Sequence, residues 1–221
     1  DYNRAVEIMR AAKEAGADAV KIQTYTADTI TLDSDAPCFQ ITQGTLWDGI
    51  TLHKLYQTAY TPWEWQAKLK ETAEDMGLEF FSSPFDFSSV DFLEGLQVPA
   101  YKVASFEITD IPLIRKIAGL GKPIIMATGV AGLSDIELAV RTCKEAGNED
   151  VILLKCTSAY PTPYGDVNLR TMPSMGETFD CITGLSDHTM GGAVAGAAVA
   201  LPVLGVERSP IPGRLAAGAL S

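Results

Sequence analysis

The sequence predicts an α/β protein folded as a (β/α)8 TIM barrel, with its first strand absent. Three observations lead there. Apolar strands alternate with helices that stop at glycine, the strands are apolar on both faces, and nearly every strand ends in polar residues. A doubly wound open sheet shares the first two features. It concentrates its chemistry at one switch point, however, whereas a barrel gathers all its strand ends around one site.

The elements follow in order. Val6, Ile8, Met9, Ala12 and Ala15 recur at roughly helical spacing over residues 3–15, and Gly16 closes that helix. Residues 19–25 (AVKIQTY) are the first strand. Thr61, Pro62 and Glu64 read as a helix start, with Thr61 as cap, Pro62 at the first helical position and Glu64 completing a capping box. Gly77 ends that helix, and residues 78–83 are a strand. Further strands read at 100–105, 123–128, 151–157, 181–186 and near 202–207. A second capping box, Ser134 to Glu137, opens the helix that Gly147 ends. The Gly/Ala-rich run 191–200 reads as a closely packed helix, despite the cost of glycine in helices. A barrel needs one strand more, expected before Asp1. The long connection 26–60 is either a functional lid or a surface excursion packed by Trp47 and Leu55.

With 221 residues, 47% of them apolar, the chain can build one sizeable core. Its net charge of -11 disfavours nucleic acid and anionic membranes as partners, so an anionic substrate must be held by local positive charge. No 18-residue apolar span and no signal peptide are present. Cys38, Cys143, Cys156 and Cys181 have no CxxC spacing and read as reduced thiols of a cytoplasmic protein.

The strand ends carry the candidate chemistry. Lys21 and Lys102 are ammonium groups inside apolar strands, which is costly unless each meets an anion. A salt bridge to a neighbouring strand or a substrate phosphate or carboxylate would serve equally. Ser105 and Glu107 share one face of an extended chain, while Lys102 has the opposite parity, so the strand must twist or break for them to converge. Ser82, Ser83, Thr128 and Gly129 offer hydroxyls and backbone amides suited to phosphate, or simply cap the next helix. Ser158 and Tyr160 add a hydroxyl and a phenol. His188 stands at a strand end beside Ser186 and Asp187, and the chain has only 2 histidines.

Taken together, GADAVKIQTY, LEFFSSPF, YKVASFE, PIIMATG, LLKCTSAYPTP and GLSDHTMG resemble the N-acetylneuraminate (sialic acid) synthase family in order and spacing. The long connection, with GTLWDG and LHKLYQTAYTPWEW, is most similar to the family's pseudaminic acid synthase branch. The resemblance implies a (β/α)8 barrel with a C-terminal antifreeze-like domain, working as a domain-swapped homodimer. It implies phosphoenolpyruvate, an N-acetylated amino sugar such as 2,4-diacetamido-2,4,6-trideoxy-altrose, and a divalent metal, Mn²⁺ first with Mg²⁺ or Co²⁺ as alternatives. By the same resemblance Lys21, Ser83, Lys102, Ser105, Ser158 and Ser186 would hold phosphoenolpyruvate. Glu107 and Tyr160 would face the substrates as catalytic groups, and His188 would bind metal. N-acetylneuraminate or legionaminate synthesis, or a non-catalytic barrel keeping only the anion site, are the other readings.

The chain also departs from the family. Ala127 stands where some relatives have serine, leaving Thr128 as a substitute hydroxyl. The family's first strand, with its glutamate and Asn-His motif, is absent. After Ala200 the resemblance stops: the family continues to a strand ending Glu-Lys-His-Phe, whose histidine is its second metal ligand, where this chain reads LPVLGVERSP. Residues 1–221 are therefore expected to be a partial catalytic barrel without the antifreeze-like domain. Alone, it is expected to bind metal poorly and to show little or no activity.

Overall fold

A computed structural model describes residues 1–42, 47–201 and 205–208. The strands are β1 (Ala19–Thr24), β2 (Glu79–Pro84), β3 (Tyr101–Val103), β4 (Ile124–Ala127), β5 (Val151–Cys156), β6 (Ile182–Asp187) and β7 (Val206–Arg208). They form a 7-stranded sheet, parallel throughout, whose strand order is the chain order. A doubly wound sheet would reverse its order at a switch point. Sequential order, with helices between successive strands, makes this a curled, partial TIM barrel, open between β7 and β1 among the described residues.

Strand alternation sorts the core into two layers. Val20, Phe80, Tyr101, Val103, Ile124, Met126, Val151 and Leu153 face outward, into one cluster with helix residues such as Leu69, Leu93, Ile114, Ile117 and Val140. Those residues come from α4 (Trp63–Asp75), α5 (Phe87–Gly95), α6 (Ile111–Ala118) and α7 (Leu133–Glu145). The intervening positions Phe81, Ile125 and Leu154 form a separate cluster with Ala19 and Ile152. Phe81 and Ile125 lie on strands separated by β3, so their contact requires a concave sheet. That cluster plugs the lumen beneath the strand C-terminal ends.

Several local expectations are corrected. Pro62, not Thr61, is the N-cap of α4, and no side chain caps it, because the extended ψ of 131° at Pro62 keeps it out of the helix. Helix α7 starts at Leu133 with Gly132 as cap; Asp135 accepts the Gly132 N–H at 2.9 Å, while Glu137 pairs with Arg141. The Gly/Ala-rich helix, α9, is only Ala193–Ala198, following α8 (Thr171–Phe179). The last strand lies at 206–208 instead of 202–207, and residues 202–204 fall outside the described ones. The connection 26–60 has structure of its own: α2 (Ala27–Ile30), a 3-10 turn (Pro37–Phe39) and α3 (Leu52–Ala59) follow α1 (Tyr2–Glu14) and β1. Trp47 is 51% exposed and is not the packing anchor expected of it. Among the described residues, no helix is long and apolar enough to cross a membrane.

Candidate active site at the strand C-terminal ends

The C-terminal ends of the strands open into one cavity of about 390 Å³. Inward parity brings Lys21, Ser83, Lys102, Ser186 and Glu207 to its floor. Ser105, Glu107, Ser158, Tyr160 and His188 line it as well, whereas Ser82, Thr128 and Gly129, also candidates from sequence, do not; the Ser82 hydroxyl donates to the Ile22 carbonyl instead. The parity conflict around Lys102 is resolved by a break. Strand β3 ends at Val103, and a 3-10 turn (Ser105–Thr109) swings Ser105 and Glu107 to the same side as Lys102.

At the floor the Glu207 carboxylate bridges the lysines, with Oε2 2.5 Å from Lys102 Nζ and Oε1 3.2 Å from Lys21 Nζ. The salt bridge weighed from sequence therefore exists, but it crosses the barrel interior from β1 and β3 to β7 instead of joining neighbouring strands. Burial alone would raise the Glu207 carboxyl; the Lys102 and Lys21 ammonium groups outweigh it and hold it well below the usual range. Burial pulls Lys102 downward, with Glu207 opposing. The geometry favours the ionised pair, since one carboxylate serves two ammonium groups. Glu207 is the site residue that the sequence reading passed over. Its signal was present: a carboxylate inside an apolar strand, followed by a base, as in the Glu-Lys of the family's strand.

Glu107 is the complement of Glu207. Among the described residues it has no cation partner, and burial raises its carboxyl to about 7, while its Oε2 is buried with no hydrogen-bond partner among them. Ser83 Oγ is likewise buried and unpartnered. Orphaned polar atoms at a cavity wall are places where a ligand or an ordered water completes the hydrogen bonding.

A third feature is the bare backbone at Gly129. Its N–H donates to Ser105 Oγ at 3.3 Å. A Cβ there would press into Ser158 Oγ and come within 2.9 Å of Ser105 Oγ. Only glycine lets the two hydroxyls converge, and the result is a small polar cradle. Thr128 does not join it. Its hydroxyl donates to the Leu154 carbonyl at 3.0 Å, so it is no substitute for the serine that Ala127 replaces.

His188 is positioned by its neighbours. Asp187 accepts from Thr189 N and Oγ1 at 2.9 and 2.8 Å and faces Arg208 Nε at 3.3 Å, while the His188 carbonyl accepts from Thr162 N at 2.9 Å. The ring lies 4.3 Å, centroid to centroid, from Tyr160. Burial lowers the pKa of His188, which favours the neutral imidazole, and raises that of Tyr160, which keeps its phenol protonated. Among the described residues, no group of three or more His, Cys, Asp and Glu could hold a metal ion. The other histidine, His53, is bound to Asp28 at 2.7 Å. A divalent cation would have His188 as a protein donor and would draw further oxygens from substrate and water, a set that suits Mn²⁺ or Mg²⁺ but leaves the protein's own share small.

A parallel α/β barrel whose strand ends converge lysines, hydroxyls and a buried neutral-range carboxyl defines a small-molecule site for an anionic ligand. The chain belongs to the NeuB family, whose family model matches residues 8–209. That match runs past residue 200 and takes in Glu207. The chain is 49% identical over 191 residues to the pseudaminic acid synthase of Helicobacter pylori, covering 86% of this chain and 56% of that protein. It is 46% identical over 204 residues to the pseudaminic acid synthase of Campylobacter jejuni, covering 92% and 59%. Among solved structures, the N-acetylneuraminic acid synthetase of Leptospira borgpetersenii, in complex with citrate, matches with a TM-score of 0.81 at 27% identity, over 94% of this chain and 68% of that one. The chain thus spans little more than half the length of the two pseudaminic acid synthases.

Proposed function

We propose that this chain carries the catalytic barrel of a nonulosonic acid synthase. It would condense phosphoenolpyruvate with 2,4-diacetamido-2,4,6-trideoxy-altrose and water to give pseudaminic acid and phosphate. The observation that carries the reading is the buried Lys21–Glu207–Lys102 bridge at the floor of the strand-end cavity. Pseudaminic acid synthases at 46–49% identity support this choice of sugar.

The side chains divide the work. Lys21 and Lys102 neutralise the carboxylate and phosphate of phosphoenolpyruvate, with Ser83 and Ser186 beside them. The Gly129 amide, Ser105 and Ser158 cradle phosphate oxygens. As C3 of phosphoenolpyruvate bonds to the aldehyde carbon, the aldehyde oxygen gains negative charge and takes a proton from Glu107. The oxocarbenium carbon then accepts water, one of whose protons returns to the Glu107 carboxylate; the C–O bond to phosphate breaks as the new C2 hydroxyl becomes the keto group, and its proton leaves with the phosphate. A carboxyl near 7 can both give and take a proton at neutral pH. Tyr160, still protonated, offers a hydrogen bond to the sugar. A divalent cation held at His188, Mn²⁺ foremost, would supply Lewis-acid polarisation of the aldehyde. The same reading makes the full-length protein a cytoplasmic homodimer, in keeping with its free cysteines.

The test is phosphate release from phosphoenolpyruvate by the chain extended at both ends with the corresponding Helicobacter pylori segments. Release with the altrose sugar, lost in Lys102→Met, is the expected result. Release with N-acetylmannosamine alone would move the protein to sialic acid synthesis, and release with neither sugar would defeat the proposal.

A further inference from the structure

The cavity is layered. Its floor is charged, and its mouth is not. Along β1 the inward series runs Lys21, Gln23, Tyr25, so Tyr25 stands four residues, about 13 Å of extended chain, above the anion site. On β2 Ser83 pairs with Gln23, and Phe85, two residues further and just past the strand end, comes level with Tyr25. Above them the connection 26–60 contributes Ile30 from α2 and Tyr56 from α3 to the same wall.

This wall is fixed. Tyr25 is 5% exposed and meets Tyr56 and Phe85 edge-on, at centroid distances of 5.6 and 5.5 Å. Its carbonyl is held by Trp63 Nε1 at 3.1 Å. His53 on α3 binds Asp28 on α2 at 2.7 Å, which joins the helices that carry Tyr56 and Ile30. Aromatic edges and one aliphatic side chain offer methyl groups a place to bury. The polar groups of this wall are the Tyr25 and Tyr56 phenols and the Gln23 amide, too few to replace the water around a longer chain of hydroxyls.

Building on the synthase reading above, we infer that Ile30 and Tyr56, backed by Tyr25 and Phe85, determine which sugar is accepted. They favour an N-acyl amino sugar that presents methyl groups, from acetamido and deoxy positions, over one that ends in a polyhydroxylated tail. The connection 26–60 is thereby a specificity element, and the anion floor beneath it serves any sugar partner alike.

The test is calorimetric binding to the chain itself, so that turnover is not needed. The ligands are 2,4-diacetamido-2,4,6-trideoxy-altrose, N-acetylmannosamine and, separately, phosphoenolpyruvate. Wild type is expected to prefer the trideoxy sugar by about tenfold or more, the scale set by a few methyl contacts in an apolar pocket. Ile30→Asn and Tyr56→Ser should each reduce that preference several-fold, with phosphoenolpyruvate affinity unchanged. Ile30→Ala carries the same test should the asparagine variant fail to fold. A wild type without preference, or variants that keep it, would overturn the inference and leave the synthase reading standing. Failure of wild type to bind phosphoenolpyruvate would overturn the synthase reading, while the sugar preference would still decide this one.

Discussion

Glu107 links the buried site to a measurable pH dependence. Its carboxyl is raised by burial from the ordinary value of 4.5 to about 7, and no cation among the described residues offsets the cost. The folded state therefore keeps a proton on Glu107 where the unfolded chain has released it. Stability falls as pH rises whenever the native state binds more protons than the unfolded one. The penalty begins above pH 4.5, is complete above about 7, and corresponds to about 3 kcal/mol at 1.36 kcal/mol per pH unit. Glu107→Gln has the shape of the protonated acid at every pH. Urea denaturation of wild type and variant, repeated from pH 4 to pH 8.5, should give matching stabilities at the acid end. By pH 8 the variant should be more stable by about 3 kcal/mol. Taking the difference cancels the other groups that titrate over this range. A constant offset across pH, or a variant less stable at pH 8, would show that Glu107 is not held protonated by burial, and its role as proton donor would fall with it.

Two further outcomes follow from the same cavity. Glu207→Gln removes the counter-charge of a fully buried ammonium and should cost about 3–5 kcal/mol in urea at pH 7, partly recovered by added phosphate; a loss under about 1 kcal/mol would mean the bridge behaves as a surface pair. Gly129→Ala drives a methyl into the Ser105 and Ser158 hydroxyls, so calorimetry should find phosphoenolpyruvate bound about 10- to 100-fold more weakly, the worth of one hydrogen bond to a charged group, and unchanged affinity would remove the cradle from the site.

The fold was legible because its signals are local. Glycine stops, apolar runs and polar strand ends repeat along the chain, and each can be read without knowing what it packs against. Helix starts were less legible. Thr61 and Ser134 both satisfy a capping pattern, yet the helices open at Trp63 and Leu133, because the backbone at Pro62 and Gly132 decides the first turn. The connection 26–60 read as a lid or an excursion. Its short helices, joined by the His53–Asp28 contact, are fixed by pairings distant in sequence.

For the site, sequence alone determined which side chains are expensive to bury: Lys21 and Lys102 stand inside apolar strands and need a reason to be there, while Glu107 and His188 were marked by their place at strand ends and by the family resemblance. It could not say that Lys102, Ser105 and Glu107 share a cavity, because strand parity forbade it and only the 3-10 turn after Val103 permits it. Nor could it pair Lys21 and Lys102 with Glu207, which lies 105 residues beyond Lys102 in the chain. Residue type sets the cost of burial, but the partner that offsets it is chosen by curvature of the sheet, and curvature belongs to the assembled barrel.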